Sequence, residues 1–256
     1  MTLELLNKAQ LQIINRKSRR YPLDVAEKDY FLALVSKILY ESKLRDALVF
    51  KGGTALHHTY LPQMRFSEDL DFTATSSVTI ENLAGVFAAH DFLELKEHQT
   101  SAFTIKINRL KFTGPLGMPN SLKIEVDVAQ NVVLPARDKE YQNVYGVSAR
   151  VNVMDLREIL AEKIRAASDR ARYRDFYDIA MILQHHPVDR DEILDLVRKK
   201  EIRKTISYAS MLQNWEIAKQ EKGRGVDLIE YTKEVSEDEI LSAIKTIGPF
   251  EISRAD

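Results

Sequence analysis

Two aspartates separated by a single residue are the side chains in this sequence best suited to chemistry. Asp69 and Asp71 alternate with Leu70 and Phe72, so a strand would place both carboxylates on one face and both apolar side chains on the other. Adjacent carboxylates repel each other, and a divalent cation between them removes that repulsion. Oxygen-only ligands suit Mg²⁺ or Mn²⁺. The spacing predicts a metal site, and a surface strand with two solvated acids is the ordinary alternative.

A pair of glycines lies upstream of these acids. Gly52 and Gly53 follow the apolar run 47–50, which predicts a buried strand, and precede residues 54–58, which fit a first helical turn. Backbone N–H groups at such a junction can hold a phosphate. Arg65 and Ser67, next to the acids, add polar groups to the same region.

A third carboxylate could come from a strand that we predict over residues 122–128. Glu125 and Asp127 share one face of this strand, and the apolar residues between them share the other. Either acid could join Asp69 and Asp71 at the metal site. The alternative is that both simply belong to an exposed strand face.

The most basic part of the chain lies between residues 163 and 174. Its only acid is Asp169, and its basic residues are Lys163, Arg165, Arg170, Arg172 and Arg174. A solvated helix face is the usual explanation for such charge. Next to a metal site, the same residues are candidates for contacts with a triphosphate and an RNA backbone. A second basic patch, more often a solubilising feature, comprises Lys199, Lys200, Arg203 and Lys204.

These segments resemble the signature of a known family. The sequence Gly52-Gly-Thr-Ala-Leu56, followed by Arg65-x-Ser-x-Asp-Leu-Asp-Phe72, is similar to the nucleotidyltransferase family that includes the AbiEii toxins of bacterial type IV toxin–antitoxin systems. That family resembles the DNA polymerase β-like nucleotidyltransferase superfamily. Further matches follow in the expected order, at Lys123-Ile-Glu-Val126, Leu160-Ala-Glu-Lys163 and Arg174-Asp175-x-x-Asp178-Ile179.

The resemblance implies roles for individual residues. Its Lys-Ile-Glu pattern favours Glu125 as the third carboxylate, with Asp127 as the substitute. Asp178 lies three residues after Asp175 on nearly the same helix face and could instead be structural. The implied catalytic residues are Asp69, Asp71, Lys163 and Asp175; the implied metal ligands are Asp69, Asp71, Glu125 and Asp127; the implied substrate-binding residues are Gly52, Gly53, Arg65, Ser67 and Arg174.

The fold expected from the resemblance is α/β (α+β), with a mixed β-sheet flanked by helices. We expect a nucleotidyltransferase core with N-terminal helices over residues 1–153 and a mostly helical domain over 154–256. We expect Trp215, the only tryptophan, to belong to a core. The predicted helices are 3–20, 24–41 capped by Asp24, 79–90, 155–168 capped by Asp155, 174–185, 189–200, 201–221 and 236–246 with a capping box at Ser236; the predicted strands are 92–95, 103–112 and 122–128.

Composition narrows the class of protein. The net charge of −1 argues against a protein that coats nucleic acid through its overall charge, although a local basic groove is compatible with it. The chain has no cysteine, which excludes disulfides and thiolate metal sites. No apolar run has the length of a membrane span, and no signal peptide is recognisable at the N-terminus. We therefore expect a cytoplasmic protein without a membrane partner.

The expected activity is transfer of a nucleoside monophosphate from an NTP to an acceptor hydroxyl, with Mg²⁺ or Mn²⁺ as cofactor. The resemblance suggests tRNA, or another RNA, as the acceptor and a separately encoded antitoxin as a partner. A protein or a small molecule is an alternative acceptor. A further alternative, from a different class, is a non-catalytic module that binds nucleotides or other proteins.

Overall fold

The computed structural model describes residues 3–200, 204–223 and 230–253. The chain divides into two compact units. Unit 1 comprises Met1–Val132 and Ala136–Met154, and unit 2 comprises Val133–Pro135 and Asp155–Asp256. The predicted α/β class is confirmed, because a mixed sheet and many helices occur among the described residues. No helix among them combines the length and the apolar character that crossing a membrane requires.

Unit 1 is built on a mixed seven-stranded sheet with the strand order β3-β4-β5-β2-β1-β7-β6. Its helices are α1 (Lys8–Lys17), α2 (Leu23–Tyr40), α3 (Gly52–Thr59) and α4 (Ile80–Phe87), and its strands are β1 (Leu48–Lys51), β2 (Asp69–Ala74), β3 (Leu93–Thr100), β4 (Thr104–Thr113), β5 (Pro119–Asp127), β6 (Arg137–Glu140) and β7 (Arg150–Val153). Strand β2 pairs antiparallel with β1 and parallel with β5. This arrangement brings two distant parts of the sequence beside Asp69 and Asp71.

The core of unit 1 lies between helix α2 and one face of the sheet. Helix α2 packs on β2, β5 and β7 and is buried around most of its circumference. Its Phe31 ring stacks on Phe112 of β4 with 3.9 Å between ring centroids. Leu70 and Phe72 of β2 are fully buried, as the alternation in the sequence predicted.

Five features of unit 1 differ from the predictions. Helix α1 begins at Lys8 rather than at residue 3, and β3 continues to Thr100 rather than ending at residue 95. Asp24 does not cap α2, because the helix begins at Leu23 with Pro22 at the N-cap position, so Asp24 falls within the first turn. Strands β6 and β7 were not predicted. Each is only four residues long. Strand β6 has no buried residue, and the polar–apolar alternation of β7 covers too few residues to distinguish a strand.

Unit 2 is mostly helical. Its elements are α5 (Leu156–Asp169), α6 (Tyr173–His185), α7 (Arg190–Lys199), β8 (Ile206–Ser207), α8 (Tyr208–Gly223), α9 (Glu237–Ile247) and β9 (Glu251–Ile252). The predicted N-caps are confirmed, because the Asp155 side chain accepts from the Arg157 N–H and Ser236 forms a capping box with Glu239. Trp215 is 1% exposed and contacts the rings of Tyr173 and Phe176, so its predicted place in a core is also confirmed.

The prediction of one helix over residues 201–221 is wrong at its start. Residues 201–203 lie outside the described residues, and Ile206 and Ser207 form a short strand that pairs with Ile252 and Glu251. Helix α8 therefore begins at Tyr208. A pairing between segments more than 40 residues apart overrode the local helical pattern, which alone contains no information about that partner.

Candidate active site

The register of three strands gathers the predicted acids on one face of the unit 1 sheet. Asp71 is paired with Glu125 of β5 on one side and with Lys51 of β1 on the other. Asp69 is paired with Lys123 of β5. Residues that are paired across neighbouring strands project from the same face. Asp69, Asp71 and Glu125 therefore point to the same side, each with intermediate exposure.

The glycine pair fits closely against the predicted site residues. Gly52 has φ +76°, and a Cβ atom built on it would collide with Oδ2 of Asp71. A Cβ atom on Gly53 would lie 2.5 Å from Nη2 of Arg65 and 2.8 Å from Oγ of Ser67. Both positions thus require glycine for a specific reason. The start of α3 can approach Asp71, Arg65 and Ser67 this closely only because Gly52 and Gly53 have no side chains.

Hydrogen bonds fix the chain around this junction. Thr54 Oγ1 donates to the backbone carbonyl of Asp69 at 2.5 Å, which ties the first turn of α3 to the start of β2. Arg65 is 2% exposed, and its Nη1 donates to the carbonyl of Phe66 at 2.9 Å. The N-cap position of α3 is occupied by Lys51, whose side chain makes no capping hydrogen bond. The first N–H groups of α3 therefore have no side-chain cap.

The two candidates for the third carboxylate have different surroundings. Glu125 is directly paired with Asp71, and its Oε2 lies 3.2 Å from Nζ of Lys106. Asp127 is paired with Thr73, which lies two residues after Asp71 on β2. Its Oδ1 accepts from two backbone N–H groups, at 3.0 and 2.9 Å, and its Oδ2 lies 3.8 Å from Nζ of Lys51. Glu125 is thus the nearer neighbour of Asp71 in the sheet, whereas Asp127 also holds the following turn.

Two acids at this site, Asp69 and Asp71, supply the oxygen ligands that a magnesium or manganese ion prefers. Within residues 3–200, 204–223 and 230–253, no group of three or more His, Cys, Asp or Glu side chains is arranged to hold a metal ion. Mg²⁺ keeps several waters and is commonly bound through one or two carboxylates together with substrate phosphates. Asp69 and Asp71 supply such a pair of carboxylates, and the absence of a Gly52 side chain leaves Asp71 in close contact with the glycine turn.

Two of the remaining predicted residues, Lys163 and Asp175, belong to a buried ion cluster in unit 2. Lys163 Nζ lies 3.1 Å from Oδ1 of Asp175 and 2.8 Å from Oδ2 of Asp178, and both aspartates are fully buried. Arg170 Nε donates to Oδ2 of Asp175 at 2.9 Å. Burial raises the pKa of Asp175, but the charges of Lys163 and Arg170 outweigh burial and leave the pKa below its ordinary value. Asp178, for which a structural role was one possibility, is a direct partner of Lys163.

The two basic windows contain residues in very different environments. Arg174 is half-buried and forms no hydrogen bond or ion pair with any part of the chain that the structure describes. Lys200 is 3% exposed and pairs with Glu158 and, at 3.1 Å, with Glu162. Burial therefore excludes Lys200 from the surface that was predicted as a basic patch. Arg203 of the same patch lies outside the described residues.

Three lysines next to the acids were not predicted as site residues. Lys51 is paired with Asp71, Lys123 with Asp69, and Lys106 with Glu125. Lys51 directly precedes the glycine pair, and Lys123 begins the Lys-Ile-Glu segment, so adjacency to those motifs was an available clue. Lys106 had no such clue, because only the pairing of β4 with β5 brings it to Glu125.

Comparison with known families gives one extensive match. The sequence profile described as nucleotidyl transferase AbiEii toxin, type IV TA system, matches residues 33–243. The matched region contains the glycine pair, the acids of β2 and β5, and the Lys163 cluster. None of the curated proteins compared with the chain matches it.

Solved structures of other proteins share the fold. MenT4, the nucleotidyltransferase toxin Rv2826c from Mycobacterium tuberculosis H37Rv, is 23% identical, with a TM-score of 0.60 over 73% of this chain and 68% of that chain. JHP933 from Helicobacter pylori is 17% identical, with a TM-score of 0.59 over 89% of this chain and 90% of that chain. At these identities, the similarity establishes a common fold.

Proposed function

We infer the reaction of this protein from one premise: the chain belongs to the AbiEii nucleotidyltransferase toxin family of type IV toxin–antitoxin systems. It is accordingly a nucleotidyltransferase enzyme that uses an NTP, and its family implies an antitoxin partner. We further propose the acceptor and the cofactor. The protein transfers a nucleoside monophosphate to tRNA, in the cytoplasm where tRNA and NTPs occur, in a reaction that depends on Mg²⁺ or Mn²⁺.

The observation that carries this proposal is the contact between the glycine turn and the acids of β2. Gly52 approaches Asp71 so closely that a Cβ atom would collide with its carboxylate. A site that binds a triphosphate and its metal ion must bring phosphate-binding N–H groups and carboxylates within a few ångströms of each other. The start of α3 and the start of β2 meet this requirement.

The residues of unit 1 would divide the binding of the substrate among them. Asp69 and Asp71 would hold the metal ion, with Glu125 or Asp127 as the third carboxylate. The backbone N–H groups of Gly52 and Gly53, with the hydroxyl of Ser67, would bind phosphate oxygens at the start of α3. Arg65, buried against Gly53, would add positive charge beneath these groups.

In the reaction, the oxygen of the acceptor hydroxyl forms a bond to the α-phosphorus of the NTP. The bond from that phosphorus to the bridging oxygen breaks, pyrophosphate leaves, and the hydroxyl proton passes to solvent. Asp69 and Asp71 would hold a Mg²⁺ or Mn²⁺ ion, which would neutralise charge on the phosphate oxygens and make the attacking hydroxyl more acidic.

For unit 2, the family resemblance implies catalytic roles for Lys163 and Asp175 and a substrate-binding role for Arg174. Lys163 has three N–H donors, and contacts with Asp175 and Asp178 use two of them. Lys163 would neutralise charge that develops on phosphate oxygens, with Asp175 orienting its ammonium group. Arg174 would bind a substrate phosphate, since its guanidinium has no partner within the described parts of the chain. Removal of one such donor typically lowers kcat about 10²- to 10³-fold.

The test is incubation of the protein with Mg²⁺, total tRNA and each labelled NTP in turn. We expect label on tRNA with the wild-type protein. The rate with Asp69→Asn should be roughly 10³-fold lower, because the metal ion lowers the activation barrier by several kcal/mol. Asp46→Asn is the matched control, since Asp46 is exposed and precedes β1 at the end away from Gly52.

Three results would contradict the proposal. Equal transfer by Asp69→Asn would exclude the assigned metal ligands, and full activity in the presence of EDTA would exclude the metal. Label on protein or on a small molecule, but none on tRNA, would show that tRNA is not the acceptor.

A further inference from the structure

The solvent-exposed face of strands β4 and β5 carries basic side chains that the proposed mechanism does not use. The opposite face of these strands is buried, with Ile107 and Phe112 of β4 and Ile124 of β5 each at most 1% exposed. Cations therefore occupy the face that looks away from the core. We call these residues the basic strip; its members are Lys106, Arg109, Lys111 and Lys123.

The basic residues of this face are concentrated on strand β4. Strand β4 contains three basic residues and no acid. Strand β5 contains Lys123, and its only acids are Glu125 and Asp127, which are the candidate third carboxylates. Acids on the same face belong to the candidate active site and to the neighbouring strand β3, whose Glu97 and Glu94 are paired with Arg109 and Lys111. The basic residues thus lie in a row between these two groups of acids.

The basic strip begins at the carboxylates. Lys123 is the direct partner of Asp69 in the parallel pairing of β2 with β5, and Lys106 is the partner of Glu125. Side chains on one face of a strand repeat about every 6.6 Å. This repeat is similar to the separation of successive phosphates in an extended single strand of nucleic acid. The strip could therefore follow a chain of phosphates away from the reacting hydroxyl.

The cations of the strip are available to a ligand. The Lys123 side chain is exposed and makes no hydrogen bond or ion pair with the residues that the structure describes. Lys106 pairs with Glu125 at 3.2 Å, Arg109 with Glu97 at 3.2 Å, and Lys111 with Glu94 at 3.7 Å. Every side chain in these pairs is at least 36% exposed. Such exposed ion pairs contribute little stability, so a phosphate can replace them at small cost.

We propose that the basic strip binds the phosphodiester backbone of an RNA acceptor, next to the hydroxyl that receives the nucleotide. This proposal rests on the proposed function in so far as the acceptor is RNA. A small-molecule acceptor has no chain of phosphates and would leave the strip unused. The contacts would be with phosphates rather than with base edges, since Lys acts as a point charge, and they would therefore be largely independent of sequence.

The first experiment measures binding of labelled tRNA without NTP at several salt concentrations. The strip variant is K106Q/K111Q/K123Q, and the matched control is K8Q/K17Q/K43Q, which removes the same charge from exposed lysines outside the sheet. Each lost phosphate contact should reduce the slope of log K against log salt by about 1. We expect a slope shallower by about 2 to 3, and affinity roughly 10²-fold weaker at 0.1 M salt, for the strip variant alone. Equal slopes and affinities for the two variants would overturn the proposal.

The second experiment separates this proposal from the proposed function by measuring transfer with the same variants. The strip variant should raise KM for tRNA and leave KM for the NTP unchanged. A raised KM for the NTP with unchanged tRNA binding would show that the strip binds the triphosphate and would overturn the proposal. If the wild-type protein binds tRNA through the strip but transfers no nucleotide to it, the proposed function fails while the strip stands.

Discussion

Two pairs of aspartates in this protein have opposite environments. Asp69 and Asp71 lie on an open face of the unit 1 sheet with intermediate exposure, next to a glycine turn. Asp175 and Asp178 lie on helix α6 of unit 2, fully buried, and share the ammonium group of Lys163. The first pair is accessible to a ligand that brings its own positive charge. The second pair already has a cation from the chain itself.

The difference shows that carboxylate pairs with similar spacing in sequence can face solvent or hold a buried cation of the chain itself. Buried charges are tolerated only when they are paired and hydrogen-bonded, because removing them from water costs several kcal/mol for each ion. The unit 2 cluster meets this condition, and the lowered pKa of Asp175 is its electrostatic consequence. The unit 1 acids remain partly in water, so less of their hydration is lost on folding.

The largest expected effect is on stability. Asp178→Ala should lower the free energy of unfolding by about 3 to 5 kcal/mol, because it leaves the buried Lys163 ammonium with one carboxylate fewer. Asp71→Ala should change it by no more than about 1 kcal/mol, since a half-exposed carboxylate is removed. Urea unfolding followed by circular dichroism measures both.

The control for this comparison is Asp191→Ala, whose side chain is 88% exposed in unit 2. Fluorescence of Trp215, the only tryptophan, follows unit 2 specifically because its ring contacts Tyr173 and Phe176 of α6. Equal destabilisation by Asp71→Ala and Asp178→Ala would remove the distinction between the two pairs.

A smaller effect is expected at the glycine turn. Gly52→Ala places a Cβ atom against Asp71 in a backbone conformation with φ +76°, which costs about 1 to 2 kcal/mol for an alanine. The variant should also lose transfer activity, because Asp71 must move to make room. Gly117→Ala is the control, since Gly117 has φ +69° but no atom within 4 Å of the added Cβ. Normal transfer by Gly52→Ala, measured with labelled NTP, would contradict the assigned contact.

The smallest effect concerns pH. The folded-state pKa of Asp175 is lowered, so the unfolded chain binds the proton more tightly and the ion pair stabilises the fold at pH values above the ordinary value of 3.8. This contribution is lost as pH falls through the lowered pKa. The stability difference between wild type and Asp175→Asn should therefore be constant near neutral pH and shrink below about pH 4. Unfolding followed by Trp215 fluorescence from pH 3 to 7 tests this, and a difference that stays constant throughout would refute it.

Local patterns in the sequence were sufficient to predict several structural elements. The alternation of Asp69-Leu-Asp-Phe72 correctly indicated a strand with one buried face, because side-chain direction in a strand depends only on the parity of the position. The helix caps at Asp155 and Ser236 could be predicted from the sequence, because each involves residues within three positions of each other. The sequence motifs also led to the nucleotidyltransferase family, which the match over residues 33–243 confirms.

Other features depended on contacts between distant segments. The pairing of Ile206 with Ile252 decided where α8 begins, and the pairing of β4 with β5 brought Lys106 to Glu125. The sequence predicted Lys200 as part of a basic surface patch, whereas the structure places it in a buried pair with Glu158. The sequence alone does not show whether a charged side chain is solvated or buried in an ion pair, since its partner can lie anywhere along the chain.

The sequence by itself determined the family, the residue types of the candidate site and the faces on which they lie. Only the tertiary structure decided which acids are neighbours, which of them are buried, and which cations accompany them. Strand parity and helix caps are set by interactions over a few residues, whereas strand order and the burial of charge are set by the packing of the whole unit. The placement of Glu125 beside Asp71, and of Lys163 between Asp175 and Asp178, belongs to that second class.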